Sequence, residues 1–297
     1  MLQNQYEKCN LCARRCGIDR STARGFCKMG TDVVLSRAAL HLWEEPPISG
    51  TRGSGAIFFT GCSLGCVFCQ NRHISSGEQG REVTVHRLSE IMLELEKQGA
   101  HNVNLVTPTH FVPSVKQAIT EARERGLSLP IVYNTGSYDT AETIDSLDGF
   151  VDVYLPDLKY HLPKTAKKLS FAEDYPAVAR AAIDRMVKQV GSPKFDSDGI
   201  MMRGVIVRIL LLPGHVAEAK LSLKYLLDTY GDEIYVSLMN QYTPMVGMAR
   251  PLDRTVSREE YRSLIEYAEH IGLKNGFTQE FGTAKESFIP DFDLTGV

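Results

Sequence analysis

Short apolar segments alternate with amphipathic stretches from about residue 53 onward. Six of these segments are rich in Val, Ile, Leu, Phe or Tyr and predict β-strands. Between them, apolar residues recur at i, i+3, i+4 and i+7, most clearly from Leu88 and from Tyr261, which predicts helices with one buried face. The predicted strands are residues 56–60, 102–107, 130–134, 151–156, 205–212 and 233–239.

This alternation indicates an α/β fold with a mostly parallel sheet. Two architectures share the pattern, a partial (βα)6 barrel of the TIM-like kind and an open doubly wound sheet. We predict the partial barrel, which six consecutive units fit. In both architectures ligands bind at the carboxyl ends of the strands, so side chains that directly follow a strand are candidates for a functional site.

Residues 1–52 lack the alternation and carry four of the seven cysteines. The adjacent prolines Pro46 and Pro47 are expected to exclude both a helix and a central strand from segment 43–50. We therefore predict two units. Residues 1–52 form an irregular cysteine-rich lobe with a connecting loop, and residues 53–297 form the partial barrel with a C-terminal tail.

Composition excludes several classes of partner. The net charge of −3 gives no general field that attracts nucleic acid or an anionic membrane surface, so nucleic acid is not a favoured partner. No apolar run approaches the length of a membrane span, and the N-terminus has no apolar stretch typical of a signal peptide. We expect a cytoplasmic protein without a membrane partner.

The cysteines fall into two groups instead of scattering through the chain as core residues would. Their odd number, without a secretory signal, argues against a disulfide framework and favours metal or cluster ligation. The first group is Cys9, Cys12, Cys16 and Cys27, and the second is Cys62, Cys66 and Cys69.

The second group has the spacing C-x3-C-x2-C and begins two residues after the first predicted strand. This spacing allows one loop to surround a four-iron cluster, and three thiolates leave one iron open for another ligand. A zinc site with a fourth ligand of another type is the alternative, although zinc usually joins paired cysteines from separate segments.

The first group has the spacing C-x2-C-x3-C-x10-C and supplies four thiolates. Four is the full set for structural zinc and also for a closed iron-sulfur cluster, so both alternatives stay open. The basic residues around these cysteines are expected to form a solvated face; they are Arg14, Arg15, Arg20, Arg24 and Lys28.

The triad and its surroundings resemble the radical S-adenosylmethionine (SAM) superfamily, in particular the relatives of pyruvate formate-lyase activating enzyme that carry an N-terminal four-cysteine motif. The resemblance runs almost end to end and implies the partial barrel of that superfamily. Its pieces are residues 9–16, 25–27, 45–50, 53–59 leading into the triad, and the closing segment 289–297.

The resemblance implies an oxidoreductase with a [4Fe-4S] cluster on Cys62, Cys66 and Cys69, whose open iron binds the amino and carboxylate groups of SAM. One-electron reduction would then give methionine and a 5′-deoxyadenosyl radical that abstracts hydrogen from a substrate. Implied partners are a reductant such as flavodoxin or ferredoxin and a protein substrate such as a glycyl radical enzyme.

Site residues carry over from the family by position. Phe68 matches the aromatic residue that packs against adenine, Asp157 and Lys159 match a D-x-K element near SAM and a monovalent cation, and Asn134 matches a T-N-G turn. The family's Gly-Gly-Glu-Pro element is absent, and residues 107–110 read Thr-Pro-Thr-His instead. Thr107 and Thr109 are therefore candidate cofactor-binding residues, with backbone carbonyls and the Thr109 hydroxyl expected to accept the hydrogen bonds of the SAM ammonium group.

Arg208 lies within an apolar predicted strand, where a buried guanidinium needs an anionic partner. The carboxylate of SAM and a structural acid are the two alternatives. Weaker candidates, chosen by position alone, are His110, His215, Asn240 and Gln241.

Three functions are considered. The first is an activase or protein-modifying enzyme of the radical SAM type. The second is a radical SAM enzyme that acts on a small molecule or a nucleotide. The third is a non-catalytic iron-sulfur carrier or redox sensor, against which the unclosed triad argues.

Overall fold

The computed structural model describes residues 3–281 and 290–297, and ten strands in these residues form one sheet. The strands are β1 (Val33–His41), β2 (Ser54–Phe59), β3 (Arg81–Val83), β4 (Val103–Val106), β5 (Ile131–Thr135), β6 (Val153–Pro156), β7 (Lys194–Phe195), β8 (Met201–Leu210), β9 (Tyr235–Met239) and β10 (Gly276–Thr278).

Helices connect the parallel strands, and two short 3-10 turns cover Thr109–Phe111 and Gly231–Glu233. The α-helices are α1 (Gln3–Glu7), α2 (Pro46–Ser49), α3 (Arg72–Ser75), α4 (Val85–Lys97), α5 (Val112–Glu124), α6 (Ala141–Asp145), α7 (Pro163–Ser170), α8 (Tyr175–Val190), α9 (Val216–Tyr230) and α10 (Arg258–His270).

The parallel strands follow one another in chain order, as β2, β4, β5, β6, β8, β9 and β10. A doubly wound sheet reverses its strand order at a switch point, whereas a barrel does not. The order therefore confirms the α/β prediction and favours the barrel alternative. Within the described residues β10 and β2 do not pair, and antiparallel β1 occupies the free edge of β2.

All six predicted strands are present, with ends shifted by a few residues. The prediction that residues 1–52 are irregular is wrong for residues 33–41, which form β1 of the central sheet. The exclusion of a helix by Pro46 and Pro47 is also wrong, because α2 places the prolines in its first turn, where no intrahelical N–H is needed. The division into two units stays a prediction, and Ile289 lies outside the described residues.

Each long helix buries one face against the sheet. In α4 the side chains of Leu88, Ile91, Met92 and Leu95 are buried, as their spacing predicts. The Thr84 hydroxyl accepts a hydrogen bond from the backbone N–H of Arg87 at 3.0 Å and so caps the start of this helix. No helix in the two described stretches combines the length and the apolar character that crossing a membrane requires.

Alternate residues of the strands face the interior of the barrel, because side chains in a strand point to opposite faces with a period of two. At the amino-terminal ends the interior is filled by apolar side chains, with Ile48 of α2 packed among them. Two residues further along β5, β6 and β8 the interior positions are Asn134, Asp157 and Arg208, which line a cavity. The members of the apolar cluster are Ile48, Val132, Val153, Leu155, Met201 and Ile206.

Truncation of the apolar plug should destabilise the whole barrel. Ile48 is completely buried, so Ile48→Ala is expected to lower the free energy of unfolding by about 2–4 kcal/mol through lost burial and a residual cavity. Leu221→Ala is the matched control, because Leu221 on α9 is 44% exposed. Urea unfolding of both variants measures the difference; equal losses would show that Ile48 does not plug the interior.

Candidate functional site

A cavity of about 910 Å³ opens at the carboxyl ends of the parallel strands. Its wall contains residues from the loop after β2, from the ends of β4, β5 and β6, and from β8 and β9. This is the end at which α/β barrels bind their ligands. The predicted site residues in the wall are Cys62, Cys66, Phe68, Cys69, Thr107, Asn134, Asp157, Lys159, Arg208 and Gln241.

The three triad cysteines lie in the loop after β2 and are partly buried in the cavity wall. The Ser170 hydroxyl donates a hydrogen bond to Cys66 Sγ at 2.9 Å, and the backbone N–H of Leu64 donates to Cys62 Sγ at 3.4 Å. Burial, followed by the charge of Cys62, raises the pKa of Cys69 to about 11. Thiols of this kind become thiolates when a cationic centre compensates their charge, so the three cysteines of this loop could serve as ligands to a cluster.

Phe68 lies between Cys66 and Cys69 and is buried in the same wall. Its ring contacts Tyr242 and Tyr160, with ring centroids 6.0 Å and 6.5 Å away. These rings hold an apolar surface beside the cysteines. A stacking contact of Phe68 with adenine stays a prediction.

A network of charged side chains forms the opposite wall of the cavity. Lys159 Nζ lies 2.5 Å from Asp157 Oδ2, and Arg208 Nε lies 2.8 Å from Asp157 Oδ1. Arg208 also donates from Nη2 to Asn134 Oδ1 at 2.6 Å. Burial acts to raise the pKa of Asp157, but Arg208 and Lys159 outweigh it and hold that pKa below its usual range. The network is therefore preformed and ionised.

Glu44 completes this network, and sequence reasoning missed it. Its carboxylate lies 3.3 Å from Arg208 Nη1 and accepts hydrogen bonds from the amides of Asn104 (3.0 Å) and Asn134 (3.4 Å). The segment between β1 and α2 carries it into the interior of the barrel. Arg208 was expected to pair either with the SAM carboxylate or with a structural acid. In this structure it pairs with the acids Glu44 and Asp157, and a contact with SAM stays a prediction.

Thr109 does not line the cavity, in contrast to Thr107. The 3-10 turn after β4 carries the Thr109 side chain into a buried polar group, where its hydroxyl lies 3.4 Å from those of Tyr133 and Thr135. Thr135 in turn donates to Asp139 at 2.6 Å. The expected contact of the Thr109 hydroxyl with a ligand in the cavity has no support in this placement.

Three of the weaker candidates, His110, His215 and Asn240, also lie outside the cavity wall. Burial lowers the pKa of His110 to about 3, so the ring is neutral, and its Nε2 lies 2.7 Å from the carbonyl oxygen of Thr60. His110 thus supports the start of the triad loop from behind. Gln241 does line the cavity, and its carbonyl accepts a hydrogen bond from Gln70 at 2.9 Å.

The four N-terminal cysteines lie close enough together for their thiols to affect one another. Burial, followed by interactions that include the charges of Cys27, Cys9 and Cys16, raises the pKa of Cys12 to about 12. In the part of the chain that the structure describes, no three His, Cys, Asp or Glu side chains converge as they stand around a single metal ion. What the four thiols bind stays a prediction.

Arg14 contacts the triad loop and Arg20 contacts the turn after β4, so the predicted solvated face is wrong for both. Arg14 donates to the carbonyl oxygens of Ser63 (2.8 Å) and Leu64 (3.0 Å), which follow Cys62. Arg20 is buried and donates to the carbonyl oxygen of His110. Hydrogen bonds from Arg14 therefore connect the N-terminal cysteine segment to the triad loop, whatever each cysteine group binds.

The lobe and the loop also touch directly at Gly61, next to Cys62. A Cβ atom at Gly61 would lie 2.6 Å from the carbonyl oxygen of Cys27 and 2.5 Å from Cγ of Met29. Backbone atoms cannot retreat as the end of a flexible side chain can, and Gly61 has a φ of +89°. Only glycine allows this close approach of the two segments.

Loss of the Arg14 contacts should loosen the triad loop. We expect Arg14→Gln to retain less iron on the triad than the unsubstituted chain and to lose it faster to a chelator, because two loop carbonyls lose a charged donor. Arg15→Gln is the matched control, since Arg15 is exposed and reaches only Glu142. Iron content and the rate of bleaching under a chelator measure the effect. Equal retention in both variants would contradict a positioning role for Arg14.

Known proteins are similar to this chain in sequence and in fold. Residues 56–221 match the sequence profile of the Radical SAM superfamily. An uncharacterised protein of Methanocaldococcus jannaschii is 28% identical over 281 residues, which cover 91% of this chain and 77% of that protein.

Among solved structures, SuiB of Streptococcus suis superposes with a TM-score of 0.51 at 12% identity, over 77% of this chain and 49% of SuiB. The chain thus spans about half the length of SuiB, and the likeness concerns the fold alone. Further structures show SuiB bound to S-adenosylmethionine and to its precursor peptide SuiA. A domain of pyruvate-formate lyase-activating enzyme from Bacteroides vulgatus matches over 61% of this chain and all of that domain, at 17% identity and a TM-score of 0.43.

The matched residues 56–221 make up more than half of the 297 residues and contain the triad and most of the parallel strands. Superfamily membership implies a [4Fe-4S] cluster and SAM as cofactors, in agreement with the donor set of the cavity. The chain belongs to the radical SAM superfamily.

Proposed function

We propose that this protein is a radical SAM enzyme that abstracts hydrogen from a protein or peptide substrate. Cys62, Cys66 and Cys69 would hold the [4Fe-4S] cluster, which would bind SAM at its open iron. The reduced cluster would pass one electron to SAM, which would give methionine and a 5′-deoxyadenosyl radical. The observation that carries the proposal is that the three thiols share one cavity with the preformed network of Asp157 and Arg208.

The residues of the chain have separable tasks in this proposal. The Ser170 hydroxyl and the Leu64 N–H stabilise negative charge on the sulfur atoms, as hydrogen bonds to cluster ligands do. Phe68 provides an apolar wall that excludes water. Arg208 fixes the orientation of Asp157 and Asn134, and Asp157 holds Lys159, which lowers the entropic cost of ligand binding.

Exposed apolar residues at the cavity support a macromolecular substrate. Leu42 and Trp43 are each 56% exposed and Phe281 is 46% exposed, and all three line the cavity. Exposed apolar residues grouped at one site are typical of interaction surfaces. SuiB, whose fold is similar, binds a precursor peptide. Activation of a glycyl radical enzyme is the form of this function that the sequence resemblance favours.

The N-terminal lobe, proposed as residues 1–52, has a supporting task. It contacts the triad loop through Arg14 and Cys27, and Arg20 contacts His110, whose ring lies against the carbonyl oxygen of Thr60. With zinc the role of the lobe would be purely structural. A second iron-sulfur cluster would also pass electrons from a reductant such as flavodoxin or ferredoxin to the triad cluster.

Cleavage of SAM tests the central proposal. Under anaerobic conditions with dithionite, the reconstituted protein should form 5′-deoxyadenosine, and Cys69→Ala should abolish it because the cluster loses one of three ligands. Cys12→Ala, with iron and zinc counted, assigns the N-terminal site: loss of zinc alone indicates zinc, and loss of about four irons indicates a second cluster. A protein with a full triad cluster that neither binds nor cleaves SAM would refute the proposal.

The class of substrate can be tested without knowing its identity. Cells that contain the protein are grown in deuterated medium, and their extract is dialysed to separate macromolecules from small molecules. Unlabelled SAM, the enzyme and dithionite are then added to each fraction under anaerobic conditions. We expect 5′-deoxyadenosine to acquire a single deuterium from the macromolecular fraction, and protease treatment to remove this transfer while nuclease treatment does not. Transfer from the dialysable fraction alone would favour a small-molecule substrate.

A further inference from the structure

The cavity wall contains more buried negative than positive side chains. The acids are Glu44, Glu45 and Asp157, and the cations are Lys159 and Arg208. Arg208 pairs with Glu44 and with Asp157, while Lys159 pairs with Asp157. One buried acid, Glu45, is left over after these pairings.

Glu45 is 7% exposed and has no ion pair within 4.0 Å among the residues that the structure describes. It feels the charge of Arg208 at longer range and interacts with the hydroxyl of Ser237. Its second oxygen, Oε2, is buried and has no hydrogen-bond partner within the described residues. Burial raises the pKa of Glu45, against the opposing charge of Arg208.

Neither protonation state of Glu45 is satisfied by the protein itself. The ionised carboxylate has no ion-pair partner within 4.0 Å among the described residues and is only partly offset by the charge of Arg208, and a carboxylate away from water is costly. The neutral group could donate from its other oxygen to the Ser237 hydroxyl, but Oε2 would still have no partner among the described residues. Because Glu45 lines the cavity, a ligand that donates a hydrogen bond and carries positive charge would satisfy the group.

We propose that Glu45 is the receptor for an alkylammonium group of a ligand bound in this cavity. An ammonium group fits because it donates three hydrogen bonds and carries one compact charge. A divalent metal ion fits less well, because it takes about six oxygen ligands and Glu45 offers one free oxygen. The ammonium group belongs either to SAM or to an amine of the substrate; this part rests on the proposed function.

The charge-neutral variant Glu45→Gln keeps the shape of the side chain and removes its charge. The matched control is Glu82→Gln, which removes a charge from an exposed residue of β3 outside the cavity wall. Binding is measured on the reconstituted proteins without any reductant, so hydrogen abstraction is not involved. The ligands are SAM, a SAM analogue without the amino group, and n-butylammonium chloride, which is added both to the SAM-bound protein and to the protein without SAM, with tetramethylammonium chloride as the ionic control.

If SAM provides the ammonium group, Glu45→Gln should weaken SAM binding about tenfold or more and leave the desamino analogue unaffected. If the substrate provides it, SAM binding should be unchanged, and n-butylammonium should bind to the unsubstituted protein but not to Glu45→Gln. In both cases Glu82→Gln should behave like the unsubstituted protein.

Thermal unfolding without ligand separates a ligand receptor from a structural acid. We expect Glu45→Gln to unfold at the same temperature as the unsubstituted protein or higher, because the substitution removes an uncompensated buried charge. Unchanged binding of every ligand to Glu45→Gln would overturn the proposal. A lower unfolding temperature in addition would show that Glu45 is a structural acid. If SAM does not bind to any of the proteins, the proposed function fails, and the n-butylammonium measurement alone decides the role of Glu45.

Discussion

The buried guanidinium of Arg208 is the constraint on which the arrangement of this cavity depends. It is only 12% exposed, and its nitrogen atoms contact Asp157, Asn134 and Glu44. These contacts join β8 to the ends of β6 and β5 and to the segment after β1. A charge removed from water is stable only when its partners are in place, so the four side chains fix one another. The wall opposite the cysteines is thereby set before any ligand arrives.

The two cysteine groups depend on each other through backbone carbonyls. Arg14 and Arg20 both come from the N-terminal group, and both donate to carbonyl oxygens at or behind the triad loop. His110 holds the first residue of that loop, at the carbonyl of Thr60. An iron-sulfur site needs its ligands at fixed positions, and here the positions are maintained by donors outside the loop. A metal or cluster bound by the N-terminal cysteines would consequently affect the geometry of the triad loop.

The elements that follow a local pattern could be predicted from the sequence. The six parallel strands were predicted from their apolar composition, whereas Asp157, Lys159 and Asn134 were predicted from the resemblance to the radical SAM family. Glu44 and Glu45 could not be found in this way, because two acids before two prolines look like an exposed loop. Their burial depends on the path of β1, which pairs with β2 through contacts distant in sequence.

Thr109, in contrast, was predicted to contact a ligand in the cavity but does not line it. Its position after β4 predicted a place in the cavity, but the turn that begins after Pro108 carries its side chain behind the strand ends. Arg14 and Arg20 likewise resembled a solvated face, since the partners that bury them lie many residues away. Sequence patterns report local periodicity, whereas these side chains depend on which distant segment meets them.

The apolar plug around Ile48 determines from which end of the barrel a ligand can enter the cavity. It fills the amino-terminal end of the barrel, so the cysteine loop is reached from the strand-end side, where Leu42, Trp43 and Phe281 are exposed. A macromolecule seated on that side would cover whatever lies beneath it. If the substrate is a macromolecule, as proposed, small ligands would have to enter before it docks and leave after it departs.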